Sequence, residues 1–306
     1  MEVPVFPKWI QIETLNKCNL RCTMCPISTG ESKRPNMPFE LYEKAIRECA
    51  KYKDYLETVG IYLLNEPLLD RTLPEKIALA KSLGIRHVHI ATNAELLTED
   101  KINALVDAGI DKIILSIESL SSAIQESIRV GSHLDRIKAN VDKLFQIKKE
   151  RQLDGLHIQV RMLAFRQNQP EWENYSQYWI DKGASSVHLQ PAHNWGGGFA
   201  DINREEVGMN ICDYLWSTLV IQSDGNVCLC CLDSAGDFRL GNIKNESIYD
   251  IWHGNKFENV RRQFQQRSLG KCTECNFTPG RYISVKRAPP QKRDQPTDQS
   301  HIVAVR

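Results

Sequence analysis

Three cysteines crowd into one short stretch near the start of the chain, Cys18-Asn19-Leu20-Arg21-Cys22-Thr23-Met24-Cys25. Three thiolates on so short a loop can hold three corners of an iron-sulfur cubane. The fourth iron then lacks a protein ligand and stays open to a small molecule. The plainer chemistry is a zinc site, but structural zinc closes its shell with a fourth Cys or His. The next candidates, His87 and His89, stand on a separate strand-like run.

A second set lies far along the chain. Cys212 is followed by Gly225, by Cys230 and, after a long gap, by the pair Cys272-Thr273-Glu274-Cys275. The glycine lets a hairpin turn tightly, so that Cys230 on the returning strand can face the loop of Cys212. The C-x2-C pair has the spacing with which two thiolates share one metal centre. Four ligands close a site, and the spacing leaves both an iron-sulfur cluster and a zinc knuckle open. Cys228 and Cys231 remain over. Alternation along a strand over residues 227–232 puts Cys228 on the face of Cys230 and Cys231 on the opposite one. Cys49, on the apolar face of residues 39–46, reads as core.

Strand-like runs at 9–13, 58–63, 87–91, 112–116, 157–163 and 186–190 alternate with stretches of helical period at 38–51, 73–83, 98–108, 134–151 and 171–182. Such alternation means a parallel sheet. Gly84, Gly109 and Gly183 each stand where a helix ends and a strand soon follows, as a left-handed cap requires. The pattern stops after Gln190, so the fold class is α/β, a partial (β/α)6 TIM-like barrel with a small C-terminal β-hairpin plus helix iron-sulfur module. The first cysteine loop follows the first strand directly, at the end where such barrels build their chemistry. Asn194-Trp195-Gly196-Gly197-Gly198 reads as the connector. The division is then residues 1–198 for the barrel, 199–285 for the module and 286–306 for a polar, proline-interrupted tail. In the module, 215–222 reads as a strand, 223–226 as the turn and 248–264 as a helix.

Lys plus Arg number 39 and Asp plus Glu 38, so no broad basic field draws the chain to nucleic acid or to an acidic membrane. A hydrophobic content of 42% suffices for a sizeable core. No apolar run approaches a membrane span and residues 1–7 lack the marks of a signal peptide, so a cytoplasmic location is expected. Ten cysteines in such a setting speak for metal or catalysis over disulfides.

With its cluster motif C-x3-C-x2-C, the chain resembles the radical S-adenosylmethionine (SAM) superfamily over its length to about residue 285, with Met24 where that family usually has an aromatic. Leu64-Asn65-Glu66-Pro67 is similar to the family's Gly-Gly-Glu-Pro, which binds the methionine amino group. Glu66 keeps the acceptor, and Asn65 replaces a glycine. Thr92-Asn93 resembles the family's Thr-Asn-Gly, and Ser116-Ile117-Glu118 its ribose-contacting Ser segment. The later cysteines resemble the auxiliary-cluster module called SPASM or, shortened, Twitch. The resemblance implies SAM and a [4Fe-4S] cluster on Cys18, Cys22 and Cys25, with a second, auxiliary [4Fe-4S] cluster on Cys212, Cys230, Cys272 and Cys275. It also implies an electron donor such as flavodoxin or ferredoxin. In the family the reduced cluster cleaves SAM to a 5'-deoxyadenosyl radical, which takes hydrogen from an unactivated carbon.

The implied enzyme is a radical SAM oxidoreductase of natural-product type that acts on a C–H next to OH or NH in a sugar, aminocyclitol or peptide. A base and the auxiliary cluster would make it a dehydrogenase. Return of hydrogen from Cys231 or Cys228 would make it an epimerase. Peptide maturation is a third outcome compatible with the resemblance, and a zinc-binding module without enzymatic activity is the non-catalytic one. Substrate residues are expected at the late strand ends and the connector: Arg161, Arg166, His188, Gln190, His193, Asn194 and Trp195. Imidazole titrates near neutrality, which makes His188 or His193 a candidate base. The plainer expectation is that a carboxylate pairs with Arg161 inside the barrel and that Trp195 packs the domain joint.

Overall fold

Strand alternation sorts the side chains of this protein into two layers. In the computed structural model, which describes residues 2–30, 34–195, 212–279 and 283–284, Val88, Ile90, Ile113, Leu115, Ile158 and Val160 pack under the helices in the main core. The residues between them on the same strands, such as His89, Lys112, Gln159 and Arg161, therefore turn to the inner face of the sheet.

The strands are β1 (Trp9–Ile12), β2 (Thr58–Gly60), β3 (Val88–Thr92), β4 (Lys112–Ser116), β5 (His157–Ala164) and β6 (Ser186–Pro191). They lie parallel in chain order. The helices between them are α1 (Phe39–Lys51), α2 (Leu73–Ser82), α3 (Glu99–Asp107), α4 (Ser122–Ile128), α5 (Leu134–Glu150) and α6 (Trp172–Lys182). This is the expected partial (β/α)6 barrel. Gly84, Gly109 and Gly183 sit at φ 84°, 85° and 116°, the left-handed caps their positions predict. Cys49 is fully buried in the core, as expected. Among the described residues no helix is long and apolar enough to cross a membrane.

The C-terminal part departs from expectation. After α7 (Tyr214–Ser217), β7 (Thr218–Ile221) pairs parallel with β1, Trp9 opposite Thr218 and Ile12 opposite Ile221. The hairpin partner β8 (Asn226–Cys228) and then β9 (Gly241–Asn242) continue that same sheet. The hairpin is thus an extension of the barrel sheet beyond β1, bound by backbone hydrogen bonds. The expected helix over 248–264 is two, α8 (Ile248–His253) and α9 (Asn255–Gln265), with extended backbone at Gly254 between them. A short α10 (Gly270–Thr273) carries Cys272, and β10 (Ile283–Ser284) pairs antiparallel with β6. The predicted strand over 215–222 begins only at Thr218, because residues 214–217 form a helical turn. The predicted returning strand ends at Cys228, so Cys230 and Cys231 lie in the turn that follows. Gly196–Gly198, the 198/199 boundary and the tail 286–306 fall outside the described residues.

Candidate active site

β1 delivers the chain into the loop of the first three cysteines. Leu20 N–H points at Cys18 Sγ (3.4 Å) and Cys25 N–H donates to the Cys22 carbonyl (3.1 Å), which winds the loop tightly. Thr23 N–H donates to the Ile128 carbonyl at the end of α4 (2.9 Å). Burial pushes the Cys18 thiol up to about 11 and the Cys25 thiol up to about 12. Metal ligation must displace those protons. Arg129 Nη1 lies 3.8 Å from Cys22 Sγ, and the same guanidinium pairs with the fully buried Glu118. Burial alone would lower the Arg129 pKa, but Glu118 and Cys22 outweigh it and the net shift is upward. Among the described residues no three His, Cys, Asp or Glu side chains converge on a point where a single ion could sit. A cubane does not require that, since each thiolate takes a different iron.

Glu66, at the loop after β2, is buried to 1% exposure. Its carboxylate accepts from Thr92 Oγ1 (2.7 Å), Asn93 N–H (2.8 Å) and Leu68 N–H (3.1 Å). Among the described residues it makes no ion pair, and burial raises its pKa. Asn65 Oδ1 accepts from Leu63 N–H (2.8 Å), whereas its buried Nδ2 has no partner among the described residues. A carboxylate without a cation beside an amide without an acceptor suits a ligand end that carries both an ammonium and a carboxylate. Asn93 Nδ2 donates to Asn19 Oδ1 (3.0 Å) inside the cysteine loop, so the Glu66 loop, β3 and the first cysteine loop are one structure. Ala94 holds φ 63° where the family has glycine. That left-handed turn costs an alanine roughly 1–2 kcal/mol. Ser116 ends β4, buried, opposite Arg161 in the ladder.

The second set of cysteines comes from separate segments. Cys228 is packed, its thiol directed at the carbonyls of Val220 (3.8 Å) and Cys230 (3.5 Å). Cys231 lies beyond the end of β8, and burial, then Cys212 and Cys275, push its thiol up to about 12. The strand alternation fails because the strand has already ended. Burial and then Cys212 and Cys275 do the same for Cys272, also to about 12. Asp233 organises the turn, accepting from Leu229, Asp237 and Phe238 N–H and from Lys271 Nζ (3.1 Å), next to Cys272.

A segment after β6 joins the two regions. Trp195 Nε1 donates to the carbonyl of Met24 (2.7 Å), between Cys22 and Cys25. Asn194 donates from Nδ2 to the Glu274 carbonyl (2.7 Å), and the amide side chains of Asn194 and Asn276 each accept the other's backbone N–H. His193 is held edge-on between Trp195 and Phe277, with its buried Nδ1 unpartnered among the described residues. Burial and then Arg161 push His193 down to about 4. Trp195 packs against His193 and the first cysteine loop, at a strained φ of 53°.

Sequence reasoning missed Glu13. At the end of β1, fully buried, it accepts from Arg34 (3.0 and 3.1 Å), Asn16 Nδ2 (3.1 Å), Leu64 N–H (3.3 Å) and Ser223 N–H (3.0 Å). It thereby ties the first cysteine loop and the Glu66 loop to the hairpin turn. Only its position after a strand of alternating pattern hinted at an inward carboxylate. Arg129 was missed too, on a loop after the unpredicted α4.

The profile of the Radical SAM superfamily matches residues 12–173, over half of the chain. The chain belongs to that superfamily. An iron-sulfur cluster-binding domain profile, SPASM, matches residues 212–276. The protein is therefore a radical SAM enzyme with SAM, a SAM-binding [4Fe-4S] cluster and an auxiliary cluster as cofactors. The expectation of a non-enzymatic zinc-binding module falls with this match.

Among relatives, a tungsten-containing aldehyde ferredoxin oxidoreductase cofactor-modifying protein of Pyrococcus furiosus is 22% identical, across 88% of this chain and 87% of its own. The S-adenosyl-L-methionine-dependent 2-deoxy-scyllo-inosamine dehydrogenase of Niallia circulans is 23% identical, across 87% and 92%. Among solved structures, BtrN in complex with AdoMet and 2-DOIA superposes with a TM-score of 0.65 at 20% identity, over 90% of this chain and 95% of that one. Streptococcus suis SuiB bound to its precursor peptide SuiA gives 0.70 at 16% identity, over 90% and 72%. At these identities the superpositions speak for the fold.

Proposed function

We propose that this radical SAM enzyme is a dehydrogenase that oxidises a carbon bearing OH or NH, in a sugar, aminocyclitol or peptide, to the ketone or imine. The observation that carries this reading is the bridge His193–Asn194–Trp195, which is bonded to the first cysteine loop at Met24 and to the second at Glu274 and Asn276. Those bonds support a reading in which both cysteine regions lie at one mouth of the barrel, where a substrate can face both. In this reading Cys18, Cys22 and Cys25 hold the SAM cluster, and Cys212, Cys230, Cys272 and Cys275 the auxiliary one. When bound, SAM and its cluster supply the radical that takes a hydrogen atom, and the auxiliary cluster supplies a sink for the electron left behind.

The chain's own groups do the rest. Glu66 fixes the ammonium of SAM by a charge-assisted hydrogen bond, and Asn65 Nδ2 turns to its carboxylate. Thr92 and Asn93 hold Glu66 in place, Met24 packs in the small apolar cluster around the cysteine loop, and Ser116 meets the ribose. His193, kept neutral by burial, accepts the O–H or N–H proton at Nδ1, and Trp195 excludes water. Loss of one hydrogen atom, one proton and one electron balances a two-electron oxidation.

Epimerisation is the second reading, and the position of Cys231 beside Cys212 and Cys275 favours it over Cys228 as donor, because the Cys228 thiol is packed away. The test is incubation of the reduced enzyme with SAM and, in turn, sugars and aminocyclitols, each as the free compound and as its phosphate ester or carboxylic acid, in deuterated water. A product two mass units lighter, with no solvent deuterium, is expected. Deuterium in an otherwise unchanged skeleton, lost in Cys231→Ala, would replace dehydrogenation by epimerisation.

A further inference from the structure

Among the described residues Arg161 has no carboxylate partner. The expectation of an ordinary interior ion pair fails: among the described residues its side chain makes neither a hydrogen bond nor an ion pair, although it is half-buried on the inner face of β5. The carboxylates that could reach it from the mouth are committed elsewhere. Glu13 binds Arg34, Glu118 binds Arg129, and Glu66 holds three donors from its own wall. Nor is the lumen short of positive charge that would excuse a lone guanidinium. Lys112, four residues back along the ladder, also lacks a pair among the described residues, but it lines an open cleft of about 250 Å3 at the opposite end of the strands and meets solvent there.

Arg161 does not line that cleft. It stands level with Ser116 and His188 in the ladder, on the inner face of the sheet four residues toward the C-terminal strand ends from Lys112's level, and its charge is among the causes that lower His193. A half-buried guanidinium keeps that position at a cost unless an acceptor arrives. A planar fork of donors is matched best by a carboxylate or a phosphate.

We infer that the substrate carries an anionic group, carboxylate or phosphate, which docks on Arg161 and so sets which carbon faces the radical. This rests on the dehydrogenase reading for the location of the substrate but adds a substrate class to it. The carboxylate of SAM is the other anion that could occupy the fork, and the auxiliary cluster is a third negative charge nearby.

The experiment uses the full-length, anaerobically reconstituted enzyme with saturating SAM, and inorganic phosphate as probe, titrated at constant ionic strength and read by the shift in melting temperature. Wild type should bind phosphate. Arg161→Gln should bind it about tenfold more weakly or not at all, as loss of a charge-assisted hydrogen bond implies. Arg161→Lys, which keeps the charge without the fork, should fall between and guards against a folding defect in the Gln variant. SAM affinity, measured separately, should stay within about twofold, less than one such bond is worth. Equal phosphate binding by wild type and Arg161→Gln, or by neither, overturns the inference. So does a large loss of SAM affinity, which would give Arg161 to SAM. A changed reduction potential of the auxiliary cluster with unchanged phosphate binding would give it to the cluster. Failure of SAM cleavage in wild type would instead strike the radical reading, and it leaves the phosphate result standing.

Discussion

The two cysteine regions are built in opposite ways. The first is one loop: Cys18, Cys22 and Cys25 lie within a few residues, and backbone bonds such as Cys25 N–H to Cys22 carbonyl shape it from within. The second is assembled from three segments, around Cys212, Cys230–Cys231 and Cys272–Cys275. They are brought together by distant contacts: Ser223 on Glu13, Lys271 on Asp233 and Asn194 on Asn276. A local site depends on its own loop. An assembled site depends on everything that tethers its pieces, so the same disturbance should injure the second region more than the first.

The sharpest way to break this comparison is to empty the first loop. In the triple variant Cys18→Ala, Cys22→Ala, Cys25→Ala, iron counted per anaerobically reconstituted chain should fall from about eight to about four, with SAM cleavage abolished. Complete loss of iron would mean that the second region cannot form without the first.

Glu13→Gln comes next. It leaves Arg34, 9% exposed, without its buried counter-charge, and the cost should be about 3 kcal/mol in anaerobic denaturant unfolding. Because Glu13 touches both regions, the iron count sharpens the test: the auxiliary cluster should be lost first. Equal loss from both would show that the first loop is no more self-sufficient than the second.

The smallest effect is expected from Asn194→Ala. Removal of the reciprocal amides with Asn276 should cost about 1–2 kcal/mol and loosen only the second region, seen as faster loss of the auxiliary cluster's spectroscopic signal under chelator. Unchanged decay would mean that the bridge does not hold that site.

Legibility in the sequence followed the same division. The parallel barrel was readable because each strand and helix declares itself within a dozen residues, and Gly84, Gly109 and Gly183 mark the joints. Glu66, Thr92, Asn93 and Ser116 form a legible series because each stands at or after the C-terminal end of a barrel strand, Thr92 and Asn93 at the same one. The hairpin was read correctly as a turn at Gly225, φ 86°. Its attachment to β1 was not, since edge pairing depends on which backbone groups remain unpaired after folding. The faces of Cys230 and Cys231 are not legible from alternation, which holds only while the strand lasts, and the strand stops at Cys228.

By itself, then, the chain's sequence determined which cysteines share a loop, that six βα units stack into an open barrel, and the superfamily to which both point. Spacing over a few residues limits what a loop can reach, and that information is local. Only the tertiary structure decided that Glu13 joins the first loop to the hairpin, that Trp195 and Asn194 grip the two cysteine regions, and that Arg161 faces the lumen with no carboxylate partner among the described residues. Those partners lie tens to hundreds of residues apart. Whether a buried charge is matched depends on every element packed around it, and no stretch of sequence contains that sum.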